Sequence, residues 1–424
     1  MLGVPDEEPW IDMQTALIIS YSALIVIFAG STLVTLVWML HAWRTPSALD
    51  ATRFPDGRGT PSHSFSLIVP ARHEHTVLRR TLAQLARIDH PDFEVLVVVG
   101  DDDEETAWVA RKVAEDHPGR FRILVDETLP RSKPAALNAA LGQCEGEIVG
   151  IFDAEDHVHA RLLRHVDAIF ATTSAEVVQG GVQLMNYRSS WFAPRNVLEY
   201  YFWFRSRLQF HAEQEFIPLG GNTVFVLRSL LTSSGGWDER CLAEDCELGT
   251  RLSVGGATVV VAYDPELATR EETPPSLRSL VRQRTRWHQG FLQVLRKGDW
   301  RDLPFRRRML ALFTLSQPFV QAIAGLLVPV FVAIALFVKM PVLIALGSFF
   351  PLAATLTLLA IECAALGDFC REFGERARLR DYARLILGAL PYQLVLSFSA
   401  LRATVRELAG VGTWEKTEHA GAHL

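Results

Sequence analysis

Three polar clusters hold the side chains from which chemistry could be built. Asp153-Ala154-Glu155-Asp156 follows one short apolar run, Gly100-Asp101-Asp102-Asp103-Glu104-Glu105 closes a second, and Pro70-Ala71-Arg72-His73-Glu74 closes a third. So many carboxylates repel one another unless a cation or a donor-rich ligand shares the crevice. A hard divalent ion such as Mg or Mn suits them, because it takes oxygen ligands and bridges to substrate phosphates. Asp153 and Glu155 leave an apolar run where they would be costly without a ligand. The acidic run at 101–105 has a second reading, as carboxylates also favour helix N-termini. No Gly-rich loop of Rossmann or Walker type is present, so bound phosphates would rest on metal and on basic side chains. Arg72, Lys133 and the strip Arg278, Arg282, Arg284 and Arg286 are available. Such a strip also reads as a solvated face, or as a contact with anionic lipid.

The elements that must position these groups alternate along the chain. Short apolar runs at 65–69, 93–99, 121–125 and 147–152 are each followed by a helical pattern, at 77–88, 104–114, 134–141 and 160–170. This is the pattern of βα units around a mostly parallel sheet buried on both faces, an α/β fold. Ligands of such sheets sit beyond the carboxyl ends of the strands, which is where the three clusters fall.

Composition adds a second phase. The chain has 424 residues, 49% apolar and 21% charged, with a mean hydropathy of +0.15. That is too apolar for an ordinary soluble enzyme and too charged for a pure membrane bundle. A net charge of −6 argues against a nucleic-acid binder. Cys144, Cys241, Cys246, Cys363 and Cys370 form no C-x-x-C pair, so neither a disulfide framework nor a zinc site is expected, and a reducing cytosol suits them.

Residues 16–40 carry no charge and are long enough to span a bilayer. The acidic residues before them speak against a cleaved signal peptide. A hairpin of spans is expected over 309–366. Arg44 and Arg53, Arg306 to Arg308, and the arginines from Arg371 to Arg380 place 44–308 in the cytoplasm and residues 1–15 outside it. Residues 41–63 read as a linker, 64–274 as the cytoplasmic domain, 275–300 as an amphipathic helix on the membrane surface, and 383–408 as an interfacial helix or a short fourth span.

Taken in order, the motifs resemble family 2 glycosyltransferases, in particular the membrane-integrated branch that includes cellulose, chitin and hyaluronan synthases. The markers are Ser66-Leu67-Ile68-Val69-Pro70-Ala71-Arg72-His73-Glu74, Lys133-Pro134 with Ala136-Leu137-Asn138, Asp153-Ala154-Glu155-Asp156, Gly220-Gly221-Asn222-Thr223, Ala243-Glu244-Asp245 and Gln283-Arg284-Thr285-Arg286-Trp287. The resemblance implies a GT-A-type domain that binds a nucleotide-sugar, usually a UDP-sugar, with a divalent metal. It implies a nucleotide pocket of Pro70, Ala71, Arg72, Glu74, Asp102, Lys133, Asp153, Gln283 and Arg286, and metal ligation by Asp153 with Glu155 or Asp156. The second position of the family's D-x-D motif is Glu here, and which of Glu155 and Asp156 would face the metal stays open.

The same resemblance makes Glu244 and Asp245 the catalytic acidic pair, with Asp245 as general base. A sugar hydroxyl is a poor nucleophile until a base accepts its proton, an effect of about 10²–10⁴-fold. Arg286 offers a fork of donors to a diphosphate, and the Trp287 indole suits the CH face of a pyranose; membrane-interface anchoring is the other reading of that tryptophan. Gly221 and Asn222 join it at the acceptor. The tail 409–424, with Trp414-Glu415-Lys416-Thr417-Glu418-His419, looks like the gating loop of that branch. Inverting transfer to a glycan or a lipid-linked acceptor is expected, with a channel completed by another subunit if a polymer is exported. A non-catalytic nucleotide-sugar sensor or assembly subunit is the second reading, motivated by Glu155.

Overall fold

The computed structural model describes residues 8–41, 43–44, 59–129, 131–337, 341–416 and 421. Most of the expected linker, the turn of the expected hairpin, residues 1–7 of the expected external segment, and Thr417, Glu418 and His419 of the gating-like tail lie outside the described residues.

Among the described residues, nine strands form two sheets. They are β1 (Phe65–Ala71), β2 (Phe93–Gly100), β3 (Phe121–Asp126), β4 (Ile148–Ile151), β5 (Val177–Gly180), β6 (Val182–Leu184), β7 (Val224–Leu227), β8 (Val259–Ala262) and β9 (Thr269–Glu271). The main sheet runs β3-β2-β1-β4-β7-β5-β8, and β6 pairs with β9 in a small parallel ribbon. Helices Leu78–Leu85, Glu104–Asp116 and Lys133–Leu141 follow the first three strands, and Leu162–Thr172 follows β4, as the alternating pattern requires. Both faces of the sheet are covered. Leu67, Val69, Val95 and Val97 enter one core cluster, and Ile68, Leu96, Val98 and Val149 the other. This explains why β1, β2 and β4 read as continuous apolar runs rather than alternating ones.

The sheet departs from a purely parallel one at β7, which is antiparallel to both β4 and β5. Ile151, which ends β4, pairs with Val224, which begins β7. The loop before β7 therefore reaches the same edge as the loop after β4. A strand inserted backwards presents its leading residues to the ligand edge, and this brings Gly220-Gly221-Asn222-Thr223 beside Asp153.

Four long helical stretches complete the chain. Glu8–His41, Phe305–Phe337 and Val342–Glu372 contain segments long and apolar enough to cross a membrane. Leu379–Leu387 and Ala389–Leu408, bent by 45° at their junction, qualify as a fourth if taken together. The helix Leu277–Lys297 starts at Ser276, whose hydroxyl accepts from the Ser279 amide, and ends at Gly298 in the left-handed conformation. It packs on Ala389–Leu408, where Gln289 donates to the Val411 carbonyl at 2.7 Å and accepts from Arg406 at 3.0 Å.

Candidate active site

The carboxyl ends of β1 and β4, the leading loop of β7 and the N-terminus of the helix Glu244–Val254 form the polar end of a cavity of about 1320 Å³. Pro70, Ala71, Arg72, Glu74, Lys133, Asp153, Glu155, Gly221, Asn222, Glu244, Asp245, Gln283, Arg286 and Trp287, all named from the sequence, line it.

Lys133 ties the walls together. Ser132 caps the helix Lys133–Leu141 by accepting from the Ala135 amide, with Pro134 in the first turn, so Lys133 projects from the helix start. Its ammonium donates to Asp153 and, at 2.8 Å, to the Gly221 carbonyl. Burial opposes the lysine charge, yet Asp153, Glu244 and Asp245 hold it above the ordinary lysine range.

The three acidic side chains after β4 take different roles. Asp153 and Glu155 line the cavity. Asp156 turns inward and is fully buried, accepting from the Asp153 amide at 2.8 Å and from Asn222 Nδ2 at 3.0 Å. Glu271, from β9, accepts from the same Asn222 amide. Burial, then the charge of Glu271, pushes Asp156 well above the usual carboxylate range, and burial, then Glu155, pushes Glu271 up to about 8. Of the two candidates left open by the sequence, Glu155 is therefore the one on the cavity wall. Asp156 and Asn222 form a buried brace beneath the site, which corrects the expectation that Asp156 reaches a metal.

The acidic run after β2 serves structural ends. Asp103 caps the helix Glu104–Asp116, accepting from Thr106 at 3.2 Å and from the His73 amide. Asp101 and Asp102 both face Arg131, and Asp102 accepts from Arg72 at 2.8 Å. Asp102, expected in the nucleotide pocket, stands off the cavity wall and orients Arg72 instead.

Opposite Asp153 stands the acidic pair. Glu244 is buried, and Asp245 Oδ1 accepts from the Cys246 amide at 2.7 Å. Burial, reinforced by Asp245, pushes Glu244 up to about 7; burial also raises Asp245, against the pull of Lys133 and Arg286. A carboxyl held near neutrality, as Glu244 is, can exchange protons at physiological pH. The pair is fixed from behind by the helix Leu277–Lys297. A methyl group added at Gly290 would meet the Ala243 nitrogen at 2.5 Å, so only glycine permits this approach.

From the same helix, Gln283, Arg286 and Trp287 reach the cavity. The Arg286 guanidinium lies 4.3 Å from the Trp414 ring centroid. Arg284 is buried, donating to Glu199, which also accepts from the Tyr392 hydroxyl at 2.8 Å. This corrects its reading as part of a solvated strip: it ties the helix to Glu199 and supports Trp287, with its guanidinium 4.5 Å from that ring. In the tail, Glu415 receives two bonds from Arg402 at 2.6 and 2.7 Å, and Lys416 pairs with Glu74 at 2.9 Å and donates to the His73 carbonyl at 2.8 Å.

The described residues hold no group of three or more His, Cys, Asp and Glu side chains arranged around a metal. A Mg-type ion needs only one or two protein carboxylates and completes its shell with water and substrate phosphate. Asp153 and Glu155, both hard oxygen donors on the cavity wall, fit that requirement.

A mostly parallel sheet with an antiparallel insertion, its acidic residues gathered at the carboxyl edge, defines a glycosyltransferase of the GT-A class. The Glycosyltransferase like family 2 model matches residues 61–290, and the chain belongs to that family. Beta-monoglucosyldiacylglycerol synthase of Trichormus variabilis is 27% identical over 252 residues, 58% of this chain and 52% of that one. Poly-beta-1,6-N-acetyl-D-glucosamine synthase of Staphylococcus epidermidis is 23% identical over 258 residues, 59% of this chain and 60% of its own length. The chain thus spans about half the length of the Trichormus relative. In fold it is similar to mannosyltransferase PcManGT of Pyrobaculum calidifontis, solved with GDP-Man and Mn2+. The TM-score is 0.58 at 20% identity, covering 92% of this chain and 99% of that one.

Sequence reasoning missed Glu271, Glu199, Arg131 and Arg207, all of which bear on the cavity or its supports. Glu271 ends a strand of only three residues, too short to show a period, and the others mark no apolar run.

Proposed function

We propose that the chain is an inverting glycosyltransferase that moves a sugar from a UDP-sugar to a hydroxyl acceptor, lipid or glycan, at the cytoplasmic face of a membrane. The observation that carries this reading is the meeting of Asp153 and Glu155 with Glu244 and Asp245 in one cavity, with Lys133 bonded to Asp153 and to the Gly221 carbonyl. The domain limits expected from the sequence are retained in this reading, with 64–274 catalytic and 275–300 on the membrane surface.

Asp245 accepts the proton of the acceptor hydroxyl as its oxygen attacks the anomeric carbon. Burial keeps Asp245 more basic than an exposed carboxylate. The departing diphosphate gains charge, which Lys133 and Arg286 offset in a site shielded from water, where such donors act most strongly. Asp153 and Glu155 would hold a Mg or Mn ion, which supplies positive charge to the diphosphate when bound. Gln283, Arg72, Pro70, Ala71 and Glu74 shape the nucleotide end, and Trp287, Gly221 and Asn222 the acceptor end. The relatives named for glycolipid and polysaccharide synthesis support both acceptor classes.

The test is UDP release by purified protein across a panel of UDP-sugars with Mg or Mn, with the anomeric configuration of the product read by NMR. Asp245→Asn should abolish release and keep UDP binding. A retained anomeric configuration, or full turnover in that variant, would remove the reading.

A further inference from the structure

The cavity does not end at the transfer residues. Past Trp38 it continues between the helices Glu8–His41, Phe305–Phe337, Val342–Glu372 and Ala389–Leu408, where Phe28, Leu352, Leu359 and Leu396 line it. An apolar branch joined to a polar site fits an amphiphile, with hydrocarbon among the helices and a head at the chemistry.

Arg207 stands on the cavity wall at the junction. It ends the π-helical turn Trp203–Arg207, and such turns, which carry one residue more than an α-helical turn, are frequent at functional sites. Its guanidinium lies 3.9 Å from the Trp38 ring centroid and 4.8 Å from that of Trp203. Arg195, Arg205 and Arg284 are paired with Glu362, Glu372 and Glu199. Arg207 has no ion pair among the described residues, and its Nε has no hydrogen-bond partner. Burial pulls it down to about 9. An unpaired cation in such a place is costly, and an anion entering the cavity removes that cost.

We propose that the acceptor is a membrane phospholipid with a free head-group hydroxyl, its phosphodiester on Arg207 and its chains in the helix-lined branch. This rests on the transferase reading above. A phosphodiester carries one negative charge against one arginine, whereas a phosphate monoester carries about 1.5–2 and would leave charge unmatched. A monoester oxygen also needs no base, while Asp245 is placed to take a hydroxyl proton. In the step, the head-group oxygen bonds to the anomeric carbon, the bond from that carbon to the diphosphate oxygen breaks, and its electron pair leaves with the nucleoside diphosphate. The hydroxyl proton passes to Asp245.

The experiment uses the full chain in phosphatidylcholine vesicles containing phosphatidylglycerol, diacylglycerol or a prenyl phosphate, or with a soluble oligosaccharide outside. UDP-glucose, UDP-N-acetylglucosamine and GDP-mannose serve as donors, and products are read by mass spectrometry. Glycosylated phosphatidylglycerol is expected. Arg207→Gln should lower kcat/KM for that lipid at least tenfold, with partial recovery in Arg207→Lys. Leu359→Trp, which narrows the branch far from the donor end, should raise the lipid KM and leave UDP binding intact. Product on diacylglycerol, prenyl phosphate or oligosaccharide alone overturns this inference and leaves the transferase reading standing, as does an unchanged lipid KM in both variants. No turnover with any acceptor, by protein that still binds UDP, overturns both.

Discussion

Lys133 reaches across the cavity to Asp153 and at the same time holds the Gly221 carbonyl at 2.8 Å. One ammonium thus fixes the separation between the strand end that carries Asp153 and Glu155 and the loop that faces Asp245. Lys133→Met removes that link and leaves the half-buried Asp153 without its cation. Turnover should fall about 10²-fold, the scale of losing one preorganised charge-stabilising donor, and steady-state UDP-release kinetics would measure it.

The acidic pair sets the pH profile. Asp245 must be unprotonated to act, and burial raises both members, Glu244 to about 7. The acid limb of kcat/KM, which reports the free enzyme, should therefore lie above the ordinary carboxylate value. Arg286 favours the charged forms, so Arg286→Gln should move the limb to higher pH as well as lower the rate. Linkage gives the companion effect. Because the folded value of Glu244 is raised from 4.5 to about 7, its contribution to stability is full below the unfolded value and is lost as pH rises through about 7. Glu244→Gln should flatten the fall in thermal midpoint over that window.

Gly221 is hemmed in by Asp245. A methyl there would lie 3.1 Å from Asp245 Oδ2 and 3.7 Å from Lys133 Nζ. Gly221→Ala should cut kcat while preserving the thermal midpoint within a few degrees, since the crowded neighbours are side-chain ends. Rate and melting measurements on the same preparation separate the two effects.

Asn222 links Asp156 to Glu271 beneath the site. Asn222→Ala leaves buried oxygens without a donor, a cost of about 1–3 kcal/mol. Asn222→Asp adds a further carboxylate to the brace and should be worse. Thermal unfolding in detergent would rank wild type above Asn222→Ala and Asn222→Asp lowest.

Chelation offers an independent check on Asp153 and Glu155. EDTA should abolish UDP release, and Mg or Mn should restore it. Glu155→Gln should raise the metal concentration needed for half-maximal rate, whereas Asp156→Asn should affect stability more than that concentration.

Much of this arrangement could be read from residue order alone. Pro70 to Glu74 and Asp153 with Glu155 were legible because polar residues that interrupt a doubly buried run have few places to go except the ligand edge. The inward turn of Asp156 was not legible, because it depends on Asn222 arriving from a strand that runs backwards, and direction leaves no mark on composition. Arg284 read as solvated because its partner Glu199 belongs to a distant helix. Arg207 lacked any signal, since a π-helical turn has no period of its own.

The contact of Gly290 against Ala243 has an evolutionary corollary. Backbone touches backbone there, so the spacing between proton acceptor and arginine admits almost no drift. The apolar wall meets the cavity through side chains such as Phe28, Leu352, Leu359 and Leu396. Exchanging those would reshape what enters between the helices without touching the spacing that Gly290 sets.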